Sequence, residues 1–157
     1  MDDVSVLMAR SEIEALMARY FRAVDTRDRP LFETIFLPDS TCDYRGAASD
    51  PSAVATVADA ATDRVLEGLT DIVAGLRAAL EGSVSAHQGT NSEIIIADAG
   101  TARGIWAMQD WVWWTKTAEP TRMRGFGHYH NDFVCKGDRW WISALRLTRL
   151  RVELDRL

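Results

Sequence analysis

The first residue with a candidate chemical role in this sequence is Asp25, a carboxylate at the end of the first predicted helix. At about 100° per residue, Asp25 falls near the edge of the helix's apolar side. Burying a carboxylate is costly unless it is paired. Asp25 is therefore either part of a solvated face or an acid that needs a partner. The apolar residues that recur at helical spacing before it are Ile13, Leu16, Met17, Tyr20, Phe21 and Val24.

The histidines are the next candidates for proton transfer or metal binding. His87 enters a predicted strand, and a lone histidine at such a place more often has a structural role. In a later strand, alternation puts His128, His130 and Asp132 on one side. Their two imidazoles could ligate a metal ion, although no third ligand accompanies them at motif spacing.

Several familiar catalytic signatures are missing from the sequence. It contains no Gly-x-Ser-x-Gly nucleophile elbow and no glycine-rich phosphate loop. The two cysteines, Cys42 and Cys135, have no metal-ligand spacing, and no disulfide follows from them. The sequence therefore supports neither a serine hydrolase triad nor a nucleotide-binding loop.

Length and composition indicate one domain spanning residues 1–157. Hydrophobic residues make up 47% of the chain, and the net charge is −5 with both signs mixed along it. No basic face for nucleic acid is evident, and no apolar run is long enough to cross a membrane. The acidic start lacks the basic residues of a signal peptide, so we expect a cytoplasmic protein that binds neither nucleic acid nor membrane.

The first half of the chain is predicted to be mostly helical. Residues 1–10 form an N-terminal leader, and Ser11 with Glu14 makes a capping box for the first helix. Pro30 suits the start of a second short helix through about Leu37. Residues 41–44 are predicted as a short strand, 47–64 as a variable loop over the domain, and 69–80 as a third helix closed at position 82.

The second half is predicted to be a long antiparallel meander. Turn residues separate four extended runs, at 84–97, 101–116, 122–136 and 139–153, with 118–121 as a looser connection. Helices followed by a meander predict an α+β fold in which helices pack on one face of a curved sheet.

Large apolar groups occupy both sides of the second long strand. Trp106, Met108 and Asp110 share one side, while Trp111 and Trp113 lie on the other. We expect the first side to be covered by helices and the second by another subunit. The sequence thus predicts a homo-oligomer.

Several segments together resemble the SnoaL-like branch of the nuclear transport factor 2-like superfamily. The resemblance covers roughly 11–152 in both order and spacing, and the segments that carry it are 20–28, 36–40, 86–91, 127–133 and 139–142. It implies a cone-shaped α+β barrel, in which a curved antiparallel sheet wraps around the N-terminal helices. It also implies an interior pocket, with the loop 47–64 over it. For the homo-oligomer it makes a trimer the first choice and a dimer the second.

Within that branch the chain is similar to bile-acid dehydratase, scytalone dehydratase and lindane dehydrochlorinase. The resemblance implies that His87 is a general base paired with Asp25. It gives Tyr20 and Tyr44 the positions of the two dehydratase tyrosines, and it places Asp110 on a pocket strand.

The same resemblance implies an arginine on the last strand. Arg146 is our first choice, with Arg149 and Arg151 as competitors because the pair Trp140 and Trp141 obscures the register. The remaining predicted substrate-binding residues are Trp106, Met108, His128, His130 and Asp132.

The implied reaction is a 1,2-elimination that needs no metal or organic cofactor. His87 would remove a carbon-bound proton from a hydrophobic small molecule, with cyclic compounds among the substrates that the resemblance suggests. Asp110 would assist proton delivery to the leaving group. Two alternatives stay open at this point. One is isomerisation, cyclisation or epoxide hydrolysis in the same pocket, and the other is a non-catalytic ligand-binding or assembly module.

Overall fold

The computed structural model describes residues 1–51, 63–115 and 122–155. Its elements in chain order are α1 (Asp3–Thr26), α2 (Arg29–Phe32), β1 (Phe36–Asp43), β2 (Val65–Glu67), α3 (Leu69–Ala79), β3 (Ser83–Ile96), β4 (Thr101–Trp114), β5 (Arg122–Cys135) and β6 (Trp140–Asp155). Most of the predicted loop 47–64 and the connection at 118–121 lie outside the described residues.

Helix α1 begins at Asp3, eight residues before the predicted capping box. The Asp2 side chain accepts a hydrogen bond from the Ser5 N–H at 2.7 Å, which satisfies a free amide of the first turn. Residues 3–10 are therefore part of α1, which was predicted to begin only at the capping box. The prediction was wrong because the apolar side of these first turns is exposed and not packed, at Val4, Leu7 and Met8.

The second predicted helix is also shorter than expected. α2 ends at Phe32, and the chain enters β1 at Phe36. Backbone pairing with β6 decides this, since the Ile142 N–H donates to the Ile35 carbonyl and the Ser40 hydroxyl donates to the Ile142 carbonyl. These contacts come from residues far along the chain, so local propensity could not indicate them.

The six strands form one curved, open sheet in the order β2-β1-β6-β5-β4-β3. The predicted α+β cone is confirmed, with the meander β3 to β6 antiparallel throughout. The sheet as a whole is mixed, because β1 pairs with β6 in parallel. None of the helices in the described part of the chain is long and apolar enough to cross a membrane.

The core lies between α1 and the concave face of this sheet. Alternate residues of β4 and β5 point inward and are buried, as the strand period requires. The apolar side of α1 packs against them, and the Tyr20 ring meets the Tyr129 ring edge-on with 5.7 Å between centroids. The concave face therefore carries the apolar core, and buried polar side chains such as Asp110 lie on the same face.

Candidate active site

Asp25 and His87 form a hydrogen-bonded pair inside the cone. Asp25 lies in the last turn of α1, and His87 lies near the start of β3. His87 Nδ1 is 2.6 Å from Asp25 Oδ1, and only 9% of the imidazole is exposed. The structure thus gives Asp25 the partner that its position on the helix requires.

Two further hydrogen bonds hold the Asp25 carboxylate against β3. The Ser85 hydroxyl donates to Oδ1 at 3.0 Å, and the His87 backbone N–H donates to Oδ2 at 3.0 Å. A carboxylate that accepts at Nδ1 favours the tautomer with the proton on Nδ1. The lone pair of His87 Nε2 is therefore free to accept a proton.

Asp110 faces the free side of the imidazole. It stands opposite His87 in the β3–β4 register, and its Oδ2 is 3.8 Å from His87 Nε2. Arg149 donates to both Asp110 oxygens, from Nη1 at 3.1 Å and from Nη2 at 2.8 Å. Only 4% of the Arg149 side chain and 2% of the Asp110 side chain are exposed. This two-point pair fixes the positions of both groups.

Glycines in β5 allow Arg149 to reach across a whole strand. Arg149 is on β6 and Asp110 is on β4, and Gly125 of β5 lies between them. A Cβ on Gly125 would collide with the Arg149 guanidinium and with Asp110 Oδ1. Arg149 also donates from Nε to the Ala47 carbonyl at 2.6 Å, so it links the sheet to the segment after β1.

Three buried tyrosines line the same side of the sheet. The Tyr20 and Tyr44 hydroxyls are 2.8 Å apart, and either can be the donor. Burial raises the pKa of Tyr20 and of Tyr44 well above the usual range. Burial likewise raises the pKa of Tyr129, with the nearby Asp110 charge adding to the effect. All three phenols thus stay protonated. In the Tyr20–Tyr44 pair one hydroxyl donates to the other, and the second hydroxyl keeps a proton that the pair can donate outward.

The structure separates the predicted substrate-binding residues into two groups. Trp106 and Met108 are buried on the concave face with Asp110. The other four lie on the opposite, convex face, away from the imidazole of His87, and these are His128, His130, Asp132 and Arg146.

On the convex face these side chains have partners of their own. His130 Nε2 is 2.9 Å from the Thr148 hydroxyl, and burial together with His128 lowers the pKa of His130. Arg146, whose side chain is 66% exposed, lies 3.9 Å from Asp43. The structure therefore does not bring this group to the site.

A bulge in β6 between Ile142 and Ala144 explains why Arg149 rather than Arg146 reaches Asp110, and a second bulge follows Arg149. The β5–β6 register shifts between Phe126 and Gly127 and again between Asp132 and Phe133. Each shift inserts a residue in β6 and reverses which side chains point inward. Strict alternation along β6 therefore fails to identify the inward arginine.

The sequence analysis also did not identify Ser85 and Tyr129 as site residues. Ser85 lies two positions before His87, so the strand period places both side chains on one face. Tyr129 lies two positions after Gly127 and four after Gly125, so the strand period places it on the same face as these glycines, next to Arg149. Both positions follow from alternation once His87 and Asp110 are taken as the reference.

The two convex-face histidines do not form a metal centre with other ligands. Their ring centroids are 6.2 Å apart. Across residues 1–51, 63–115 and 122–155, no group of three or more His, Cys, Asp or Glu side chains is placed to hold a metal ion.

Comparison with known proteins gives a family match over most of the chain. A family model described as a SnoaL-like domain matches residues 5–146. No curated protein matches significantly.

Solved structures share the same fold at low sequence identity. A type 2 hexachlorocyclohexane dehydrochlorinase has a TM-score of 0.78 and 16% identity, over 98% of this chain and 93% of that chain. The Kfla4162 protein of Kribbella flavida has a TM-score of 0.78 and 23% identity, over 94% and 95% of the two chains. A scytalone dehydratase-like protein of Novosphingobium aromaticivorans has a TM-score of 0.75 and 16% identity, over 99% and 93%.

Proposed function

Because this chain belongs to the SnoaL-like family, and because it holds a histidine with one free ring nitrogen at a buried polar cluster, we propose that it is a lyase. The proposed reaction is a 1,2-elimination from a hydrophobic small molecule, and cyclic compounds are the first class to test. The observation that carries the proposal is the 2.6 Å contact between His87 Nδ1 and Asp25 Oδ1, which leaves Nε2 free.

In this mechanism His87 Nε2 takes a proton from a carbon of the substrate. The electron pair of that C–H bond forms the new double bond, and the leaving group departs from the adjacent carbon with its own bonding pair. Asp25 stabilises the imidazolium, as the acid does in a hydrolase triad. General-base groups of this kind contribute typically about 10²–10⁴-fold to the rate.

The leaving group decides whether a second proton is needed. A halide departs without one, while a hydroxyl must gain a proton to leave as water. The imidazolium of His87 can return the abstracted proton to that hydroxyl, so the balance closes without another acid. Tyr20 and Tyr44 are suited to donate hydrogen bonds to charge that develops on the substrate.

We assign Asp110 a different task from the one that the sequence suggested. Its two oxygens both accept hydrogen bonds from Arg149, so both are engaged within the pair. Asp110 is thus better suited to hold the Arg149 cation and to stabilise the nearby imidazolium than to deliver a proton.

Two structural relatives have names that denote eliminations. One is called a dehydrochlorinase, and the other is scytalone dehydratase-like. At 16% identity these relatives establish the fold alone, so the names support the class of reaction without giving a substrate for this chain.

The test is a screen of cyclic compounds that carry a halide or hydroxyl next to an acidic C–H bond, run in D₂O and followed by mass spectrometry. We expect loss of HX or water from at least one compound with the native protein and no loss with His87→Ala. The matched control is His128→Ala, which removes an imidazole from the convex face. Deuterium uptake without loss of a group would instead favour an isomerase, and full activity in His87→Ala would overturn the assignment of the base.

A further inference from the structure

Arg27 closes helix α1 in a backbone conformation that its residue type seldom adopts. Its φ is 53° and its ψ is 35°, in the left-handed region, and its N–H donates to the Ala23 carbonyl. Glycine is the usual residue at such a helix end because it has no Cβ penalty. An arginine here indicates that the side chain has a task that glycine could not perform.

The Arg27 side chain joins the end of α1 to the segment that leads into β3. Its Nη1 donates to the Asp25 carbonyl at 2.5 Å. Its Nη2 lies 3.1 Å from the Leu80 carbonyl, 2.9 Å from the Ser83 carbonyl and 3.0 Å from the Ser83 hydroxyl. One planar guanidinium thus contacts backbone carbonyls of both elements that carry the dyad.

The Arg27 guanidinium connects the backbone of Asp25 to β3. The carboxylate of Asp25 accepts hydrogen bonds from the same strand. Ser83 begins β3, and Ser85 and His87 follow it on the same face. The backbone of Asp25 and the strand that bears His87 are therefore fixed relative to each other by a second contact outside the dyad itself.

We infer that Arg27 is a positioning residue for the Asp25–His87 pair. It sets the distance between the last turn of α1 and β3, so that Asp25 can reach Nδ1 of His87 and keep the proton there. This inference rests on the proposed function for its catalytic meaning, but its structural content is independent of any substrate. A fixed fork of donors suits the task better than a lysine, which presents a single flexible charge.

The position of the His87 ring proton gives a direct test. The chain has only three histidines, so the ring nitrogens of ¹⁵N-labelled protein give few NMR signals. The spectra are recorded where His87 is neutral, and the charged groups that face it are Asp25 on α1, Asp110 on β4 and Arg149 on β6. In the native protein we expect the Nδ1–H tautomer of His87 to dominate.

We expect Arg27→Gln to shift His87 toward a mixture of tautomers and Arg27→Lys to give an intermediate result. Arg27→Gly relieves the backbone strain yet lacks the side chain, so it should retain more thermal stability than Arg27→Gln while showing the same tautomer mixture. The matched control is Arg29→Gln, because Arg29 forms an exposed pair with Glu33 at the surface. Where a substrate is in hand, kcat should fall about tenfold in Arg27→Gln with little change in KM.

An unchanged His87 tautomer in Arg27→Gln and Arg27→Gly would overturn the inference and leave Arg27 as a helix cap. Failure of all the Arg27 variants to fold would overturn it too, since the role would then be structural. A native protein without a dominant Nδ1–H tautomer would contradict the proposed function instead. The two failures are therefore distinguishable.

Discussion

His87 Nε2 lies 3.8 Å from Asp110 Oδ2, on the side of the imidazole opposite Asp25. This separation is longer than a hydrogen bond, so Asp110 does not occupy the lone pair of that nitrogen. It is short enough for the carboxylate to attract a proton that arrives there. The imidazole therefore stands between two carboxylates, one bonded to it and the other held back by Arg149.

The first prediction concerns the dyad. His87→Ala should reduce turnover by about 10²–10⁴-fold, because it removes the base. Asp25→Asn should cost nearly as much, since an amide neither stabilises the imidazolium nor sets the tautomer reliably. Circular dichroism should show both variants folded, and initial rates give the order of effects. Activity that survives in His87→Ala but disappears in Asp132→Ala would contradict the assignment.

The second prediction concerns the buried pair of Asp110 and Arg149. Arg149→Met should destabilise the fold by about 3–5 kcal/mol, because it leaves a buried carboxylate unpaired. Denaturant unfolding measures this loss. The control is Arg103→Met at the exposed pair with Asp132, where the expected change is within about 1 kcal/mol. Equal losses at the two sites would show that Asp110 is not held as an ion.

The third prediction concerns Gly125, whose missing side chain leaves room for the contact between Arg149 and Asp110. Gly125→Ala should cost about 1–3 kcal/mol and displace Arg149, since the new methyl group would collide with the guanidinium and with Asp110. Gly100→Ala is the control, because its Cβ would meet only Asp98 Oδ1 at 3.6 Å, an ordinary contact. Thermal unfolding of the two variants side by side decides the matter.

The fourth prediction concerns alkaline pH. The chain has three tyrosines, and burial raises the pKa of each in the folded state. An unfolded tyrosine titrates near about 10, so above that pH the unfolded chain loses protons that the folded chain keeps. Stability from these groups is fully present below about pH 10 and falls as the pH rises further.

Tyrosinate absorbance followed together with circular dichroism checks this prediction. We expect no tyrosinate in the folded protein near pH 10, and then one step that coincides with unfolding. Free titration of even one phenol at its ordinary pKa, with the fold intact, would contradict the buried tyrosine cluster.

The fifth prediction concerns assembly through the convex face of the sheet. Val84 and Trp113 are neighbours there, with 59% and 38% of their surface exposed. Contiguous exposed apolar groups are typical of contact sites between proteins. We propose a homo-oligomer, a trimer before a dimer, and expect Trp113→Glu to lower the mass measured by light scattering. A native protein that scatters as a monomer at micromolar concentration would refute the proposal.

The sequence was sufficient to predict the elements that alternate regularly. The apolar side of α1 and the inward residues of β4 follow fixed periods, so Asp25, Trp106 and Asp110 could be placed. The order of helices and strands was predicted except for the three-residue strand β2, which was missed. The proximity of Asp25 and His87 needed the family resemblance as well, because they are distant in sequence.

Other parts depend on contacts that no local pattern contains. The early start of α1 depends on a cap at Asp2, and the strand β1 depends on β6. The choice of Arg149 depends on a bulge after Ile142 that changes which of the following β6 side chains point inward. In each case a contact between distant residues, a helix cap or a strand bulge decides the structure, and the regular helix or strand spacing used for the prediction does not reveal it.

The parallel pairing of β1 with β6 has a consequence for how the molecule folds. β1 emerges early from the ribosome, but its backbone partner in the sheet is the last strand of the meander. Contacts between such distant segments are slow to form, because a long loop must close before they are made. Arg149 lies on the same late strand. The hairpins from β3 to β6 can therefore assemble first, and Tyr44, which follows β1, joins Tyr20 only when β1 docks.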